Sequence, residues 1–185
     1  NQSLRVVELL EKNGTGLNLS WEVRDGIQCH SKGRGALLGR TSAELPATLE
    51  GQLVRLSDVI AYVNHDLDDA IRGGLVSTED VPRHLRAALG AKNSQRLNTM
   101  VTDLIETTLA SGCQAVRLSA PVAAQVAELR DWLHANVYRA HAVEDEFRKA
   151  SRVLRELFAY FVTYPESLSL YGGARIDGEV VETAV

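Results

Sequence analysis

The chain has 185 residues, a mass of 20.2 kDa, a formal net charge of −4 and a pI near 5.7. Apolar residues make up 45 % and charged residues 24 %, an ordinary globular balance that excludes disorder of the chain as a whole. The mild acidity argues against a surface dedicated to nucleic acid, and no apolar run approaches the ~20 residues a membrane span needs.

Helical periodicity dominates from the start. Leu4, Val7 and Leu10 recur at helical spacing over residues 2–12, and Asn13-Gly14-Thr15-Gly16 stops them. Ser20 is placed to cap a helix running to about His30, with Glu22 and Asp25 in its first turns. Residues 31–47 hold Gly33, Gly35, Gly39 and Pro46 among polar residues and read as a long loop. The strongest element is residues 48–72, where Leu49, Leu53, Leu56, Ile60, Val63, Leu67 and Ile71 draw one continuous apolar stripe. Gly73-Gly74 ends it.

A short helical turn is expected from Ser77-Thr78, with Pro82 near it, and a further helix over residues 93–111. Residues 114–119 alternate weakly and fit a short strand or an extended link. Pro121 opens a helix to about Val137, and a long one follows from about 142 to Tyr164, closed by Pro165. The tail from Tyr171 is Gly-rich, and residues 179–185 look like a helix start. Trp21 and Trp132 are expected as core or half-core anchors. Phe147, Leu154, Leu157, Phe158 and Phe161 form a stripe expected to pack.

The chain opens Asn1-Gln2-Ser3-Leu4, without Met or a basic-then-apolar leader, so an internal fragment without a signal peptide is expected. Cys29 and Cys113 stand far apart and outside any CxxC, which suits a reducing, cytoplasmic setting. Buried or half-buried thiols are expected at both positions.

At about 100° per residue, Arg55, Asp58, Tyr62, Asp66 and Asp69 fall in one sector of the 48–72 helix, away from the centre of its stripe, with His65 on the border. A solvated polar face accounts for such a sector. Three carboxylates, a Tyr and a single basic residue, however, are not the interleaved Lys and Glu of an ordinary surface helix. Clustered carboxylates invite a hard divalent cation or a sugar hydroxyl.

These residues resemble a known family. Asn1-Gln2-Ser3-Leu4-Arg5, Leu17 to Ile27, Leu49-Glu50-Gly51-Gln52 and, most specifically, Asp58-Val59-Ile60-Ala61-Tyr62-Val63-Asn64-His65-Asp66-Leu67-Asp68-Asp69 are similar to the deoxyguanosinetriphosphate triphosphohydrolases of the HD superfamily. Val137-Tyr138-Arg139 and the run from Leu157 through Tyr164-Pro165-Glu166 resemble the helical domain that follows the HD core in that family.

The resemblance implies an all-α fold: the back half of an HD-type helical core over residues 1–74, then a C-terminal helical domain over 75–185. It implies cleavage of a deoxynucleoside triphosphate to deoxynucleoside and tripolyphosphate. The cofactor would be a divalent metal ion such as Mg²⁺ or Mn²⁺, held by a His, a His-Asp pair and a later Asp. Asp58 matches that later Asp. Tyr62 matches a residue packing on the deoxyribose and base, and Asp66 a carboxylate near the sugar 3′-hydroxyl. His65-Asp66 spells the superfamily's dipeptide in a register that is not the metal-binding pair; His65 is either a helix-surface histidine or a substrate contact.

The departures matter as much. The family's first His, its His-Asp pair and its catalytic His lie upstream of Gln2-Ser3, so no catalytic residue is expected in this chain, which alone should be inert. Cys29 stands in Gln28-Cys29-His30 where the family carries a Lys for phosphate. His30 is the candidate replacement, although as a helix-ending residue it also suits the dipole. Lys32, Arg34 and Arg40 either meet phosphate or solvate their loop. Gly33-Arg34-Gly35 is not a P-loop, lacking the Gly-Lys-Ser/Thr ending. The expected partners are a deoxynucleoside triphosphate and further copies of the chain, with no membrane, and with nucleic acid left open as a regulator. The competing reading is a non-catalytic helical regulatory or interaction module on the same scaffold.

Overall fold

A computed structural model describes residues 2–30 and 45–167, and among them every regular element is a helix. The expected all-α class is what the chain adopts. The basic loop with Lys32, Arg34 and Arg40, and the tail from Tyr171, lie outside the described residues. The chain divides into two compact units, Asn1–Arg139 and Ala140–Val185.

The first unit opens with α1 (Gln2–Arg5), a π turn (Val6–Leu10) and α2 (Glu11–Gly14). Lys12 and Asn13 enter the left-handed region at φ 52° and 57°, which breaks the helix where the Asn-Gly-Thr-Gly run predicts. Gly16 is required there: its φ is +72°, and a Cβ would lie 1.9 Å from the Glu8 carbonyl oxygen. Helix α3 (Trp21–Cys29) follows Ser20, whose hydroxyl makes no capping bond to the helix backbone. Trp21 is 61 % exposed, so the anchor expected there is absent.

Helix α4 (Leu49–Arg72) is capped by Thr48, whose side chain accepts from the Gly51 N–H at 3.1 Å. Gly51 leaves room for the Pro46 ring and the Thr48 hydroxyl: a Cβ there would stand 2.6 Å from the Pro46 Cβ. The apolar stripe is buried from Leu56 onward through Ile60, Val63, Leu67 and Ala70, whereas Leu49 and Leu53 at its start are exposed. After Gly73 and Gly74 the chain makes a 3-10 turn (Thr78–Asp80), fastened reciprocally by Ser77 and Asp80. That turn is the one expected from Ser77-Thr78; after it comes α5 (Arg83–Leu89), a helix the sequence pattern does not announce, burying Leu85 and Leu89.

Helix α6 (Asn93–Ala110) packs along α4 and buries Met100 and Leu104. Residues 114–119 resolve as an extended link with no strand partner. Side chains supply the hydrogen bonds a sheet would have given. Gln52 Oε1 accepts from the Val116 N–H at 3.1 Å, and Asp103 accepts from the Ser119 N–H and hydroxyl at 2.8 and 2.6 Å. Cys113, just upstream, is exposed, correcting the expected burial; Cys29 is buried. Helix α7 (Ala120–Leu133), with Pro121 in its first turn, runs into a π turn (His134–Tyr138).

The core gathers Leu56, Val63, Leu67, Leu85, Met100, Leu129 and Leu133 from α4 to α7. Inside it sits one polar lock. Arg96 is 3 % exposed; its Nε donates to Asn64 Oδ1 at 3.0 Å and its Nη1 to the Ala91 carbonyl at 3.0 Å. Asn64 in turn donates to the Ile60 carbonyl at 2.7 Å. Burial lowers the Arg96 pKa, and Asp68, 3.8 Å from Nη2, opposes that shift.

The second unit contains α8 (His141–Thr163). Lys149–Glu146 at 2.6 Å and Arg152–Glu156 at 2.7 Å pair along its polar side. No described side chain of α8 is buried.

Candidate functional site

The polar sector of α4 splits in two. Arg55 turns inward: it is 5 % exposed, and its Nη1 donates to the Cys29 carbonyl at 2.5 Å, stapling the end of α3 to α4. Asp69 turns to its own helix and pairs with Arg72. His65 is exposed. What remains is a ridge of Asp58, Tyr62 and Asp66 at steps of four, one above the other on the helix surface.

The end of α7 comes to meet this ridge. Tyr138 donates its phenolic hydrogen to Asp66 Oδ2, across 72 residues of chain. Arg130 hydrogen-bonds the Tyr62 hydroxyl and acts on it through its charge, as Asp58 and Asp66 also do. Burial raises the Tyr138 pKa, and the hydrogen bond to Asp66 and its negative charge push it further up. Tyr138 therefore stays a neutral donor at physiological pH, and Asp66 is the accepting carboxylate. Burial also raises the Tyr62 pKa, with Arg130 pulling the other way.

Arg130 and Tyr138 are the site residues that spacing on α4 does not reveal. Their signal is long-range: Tyr138 falls in the Val137-Tyr138-Arg139 stretch that carries the family resemblance, but nothing local announces that it faces Asp66. The π turn is the local device that delivers it. There Asn136 Nδ2 donates to the Trp132 carbonyl at 2.8 Å, serving a carbonyl in the widened turn with a side chain.

A second feature adjoins the ridge. Val23, Gly26, Ile27 and His30 of the α3 segment face Thr48, Gly51 and Val54 across a mainly apolar cleft of about 640 Å³, with Glu22 and Glu50 also on its walls. Val54 lies one turn before Asp58, so this cleft and the ridge share a side of α4. The size suits a small organic ligand. Two glutamates on the walls favour an uncharged group over a phosphate. His30 Nδ1 lies 2.7 Å from the Ile27 carbonyl. A carbonyl only accepts, so Nδ1 is the donor of this pair and carries the hydrogen.

Among the described residues no three His, Cys, Asp or Glu side chains converge on a point that could hold a metal ion. Asp58 is exposed and belongs to no such group among the described residues. No helix among the described residues is long and apolar enough to cross a membrane.

Residues 116–180 match the phosphohydrolase-associated domain. A deoxyguanosinetriphosphate triphosphohydrolase-like protein of Desulfatibacillum aliphaticivorans is 44 % identical over 180 residues, which is 97 % of this chain and 50 % of that protein. A protein of the same name from Caldanaerobacter subterraneus subsp. tengcongensis is 46 % identical over 160 residues, covering 86 % of this chain and 44 % of its own length. One from Clostridium perfringens (strain SM101 / Type A) is 41 % identical over 163 residues, 86 % and 46 % of the two lengths. The chain spans about half the length of the curated relatives it matches. The likeness carried by the Asp58–Asp69 run thus extends over nearly the whole chain, which is homologous to the deoxyguanosinetriphosphate triphosphohydrolase-like proteins.

Proposed function

We propose that this chain, as a homologue of the deoxyguanosinetriphosphate triphosphohydrolase-like proteins, forms the deoxynucleoside-facing part of an enzyme that cleaves a deoxynucleoside triphosphate to deoxynucleoside and tripolyphosphate. The observation that carries the reading is the meeting of Tyr62 and Asp66 on α4 with Arg130 and Tyr138 at the end of α7. A carboxylate and a neutral phenol side by side suit a sugar hydroxyl, which both donates and accepts. The Tyr62 ring gives a sugar or base an apolar face, and the neighbouring cleft gives room for uncharged atoms. Arg130 supplies a fixed cation of the kind a polyphosphate needs. It stands in for the Lys absent at Cys29 more readily than His30, whose Nδ1 is engaged by a carbonyl.

Asp58 is proposed as one ligand of a divalent metal ion whose other ligands come from the part of the relatives' length that this chain does not span. That ion would act as a Lewis acid on phosphate oxygen. No catalytic residue is assigned within the chain. The division into a core part, 1–74, and an associated helical part, 75–185, belongs to this proposal, as do a homo-oligomeric state and cytoplasmic residence. One observation favours the alternative of a non-catalytic helical module: the described residues gather no metal-holding group of their own.

The test is Asp58→Asn in the whole protein. Metal content and tripolyphosphate release should fall together, nearly to background, with helicity unchanged by circular dichroism. Wild-type metal content and rate in that variant would remove Asp58 from the site. A wild-type protein that releases no tripolyphosphate from any deoxynucleoside triphosphate would favour the non-catalytic module.

A further inference from the structure

Of the two π turns described, Val6–Leu10 and His134–Tyr138, the second carries a residue that bonds the ridge on α4. Before it, α7 is regular and buries Val126, Leu129 and Leu133 toward the core. Widening the next turn lets Val137 stay buried while Tyr138 reaches Asp66 on α4. Single π turns inside helices are uncommon and concentrate at functional sites, because the extra residue per turn re-aims the side chains that follow. The first residue of this turn is His134. Its ring meets the Tyr138 ring edge-on, with centroids 6.1 Å apart and planes at 79°. That is a favourable aromatic geometry, worth more than the burial alone.

We infer that His134 is a positioning residue: its imidazole, edge-on to the Tyr138 ring across the π turn, holds the Tyr138 hydroxyl on Asp66 and so fixes the carboxylate that the proposed site offers to a deoxyribose hydroxyl. This rests on the proposed function for what the carboxylate receives, but not for the positioning itself. A phenol ring with one face loose turns about its own side-chain bonds, and the hydroxyl at its far end moves most. A second ring against its edge removes that freedom. With Oδ2 held by Tyr138, Asp66 keeps one rotamer and presents Oδ1 in one direction. Pre-organisation of this kind lowers the cost of binding without any contact between His134 and the ligand. Within the same turn, Asn136 donates from Nδ2 to the Trp132 carbonyl of α7 at 2.8 Å.

The experiment follows the Tyr138 ring by NMR in the 185-residue chain, with the resonance assigned from Tyr138→Phe. Two variants separate ring geometry from volume. His134→Phe keeps an aromatic edge, and His134→Leu keeps bulk without one. His134→Phe should titrate as wild type. His134→Leu should ionise Tyr138 at lower pH, toward the value in Asp66→Asn, because the phenol leaves its carboxylate. In the whole enzyme, His134→Leu should raise the KM for deoxynucleoside triphosphate several-fold with kcat little changed, and His134→Phe should restore it. If His134→Leu titrates as wild type, or if both variants fall together, the positioning role is overturned. A wild-type protein without tripolyphosphate release removes the enzymatic reading alone, and the ring titration still decides whether His134 positions Tyr138.

Discussion

Helices α4 and α8 are nearly the same length, 24 and 23 residues, and each carries apolar residues at helical spacing along one side. Their fates differ. In α4 the stripe is closed over: Leu56 is 2 % exposed and Val63 is fully buried. In α8 the corresponding residues are open, with Phe147 74 % and Leu154 66 % exposed. Periodicity announces that a helix has an apolar face; it does not say what covers that face. Within its unit, α4 is covered because α6 and α7 return against it and because buried polar groups fix how they do so.

The first way to break this comparison is to hollow the covered stripe. Leu67 is 1 % exposed and packs in the core between α4 and its neighbours. Leu67→Ala removes its buried methyl groups and leaves a cavity, an expected loss of about 2–5 kcal/mol in unfolding free energy. Chemical denaturation with an unchanged m-value checks it. A loss below about 1 kcal/mol, the range of a volume-conserving swap, would mean that the stripe is less tightly closed than its burial implies.

That stripe was also the most legible part of the chain. The 48–72 helix, its end at Gly73-Gly74 and the breaks at Asn13–Gly16 follow from local chemistry, namely apolar spacing and residues that accept unusual backbone angles. Helix α5 was less legible because it is seven residues long and begins beside Pro82, too short for periodicity to speak. Its burial through Leu85 and Leu89 is a tertiary fact. The site divides in the same manner. Asp58, Tyr62 and Asp66 share a face by arithmetic, and the structure places them in one ridge. Arg55 shares that arithmetic, yet it is buried, because α3 offers it the Cys29 carbonyl. Arg130 and Tyr138 come from more than sixty residues away, as the 72-residue separation of Tyr138 from Asp66 illustrates, and no local pattern encodes that meeting.

A smaller effect is expected from the polar lock inside the covered region. Asn64 is fully buried and accepts from Arg96 Nε, while donating to the Ile60 carbonyl. Asn64→Ala leaves that guanidinium N–H unpaired in a place without water. The penalty for such a buried group is about 1–3 kcal/mol, and a charged donor sits toward its upper end. Because Arg96 also holds the Ala91 carbonyl, the loss should be local before it is global. Hydrogen exchange should quicken first at the start of α6. An Asn64→Ala protein as stable as wild type would mean that Arg96 finds another acceptor, with Asp68, 3.8 Å from Nη2, the nearest candidate.

The smallest effect should come from the open side of the comparison. Leu154→Ser sits at the centre of the α8 stripe, where the leucine is 66 % exposed. A side chain already in water forfeits little burial when shortened, and surface changes away from special features stay within about 0.5 kcal/mol. Serine is a somewhat poorer helix former than leucine, so a slight loss of helical signal is expected, with the main unfolding transition unmoved. Thermal melts followed by circular dichroism, run beside Leu67→Ala, make the contrast direct. Should Leu154→Ser cost as much as Leu67→Ala, the α8 face is covered in solution. Repeating the melts over a range of protein concentration then separates the sources of that cover. A midpoint that rises with concentration means that another copy supplies it, and a constant midpoint means that the chain covers the face itself. In either case α8 would join α4 as a helix whose stripe is closed, and the difference between the two would lie in what closes it.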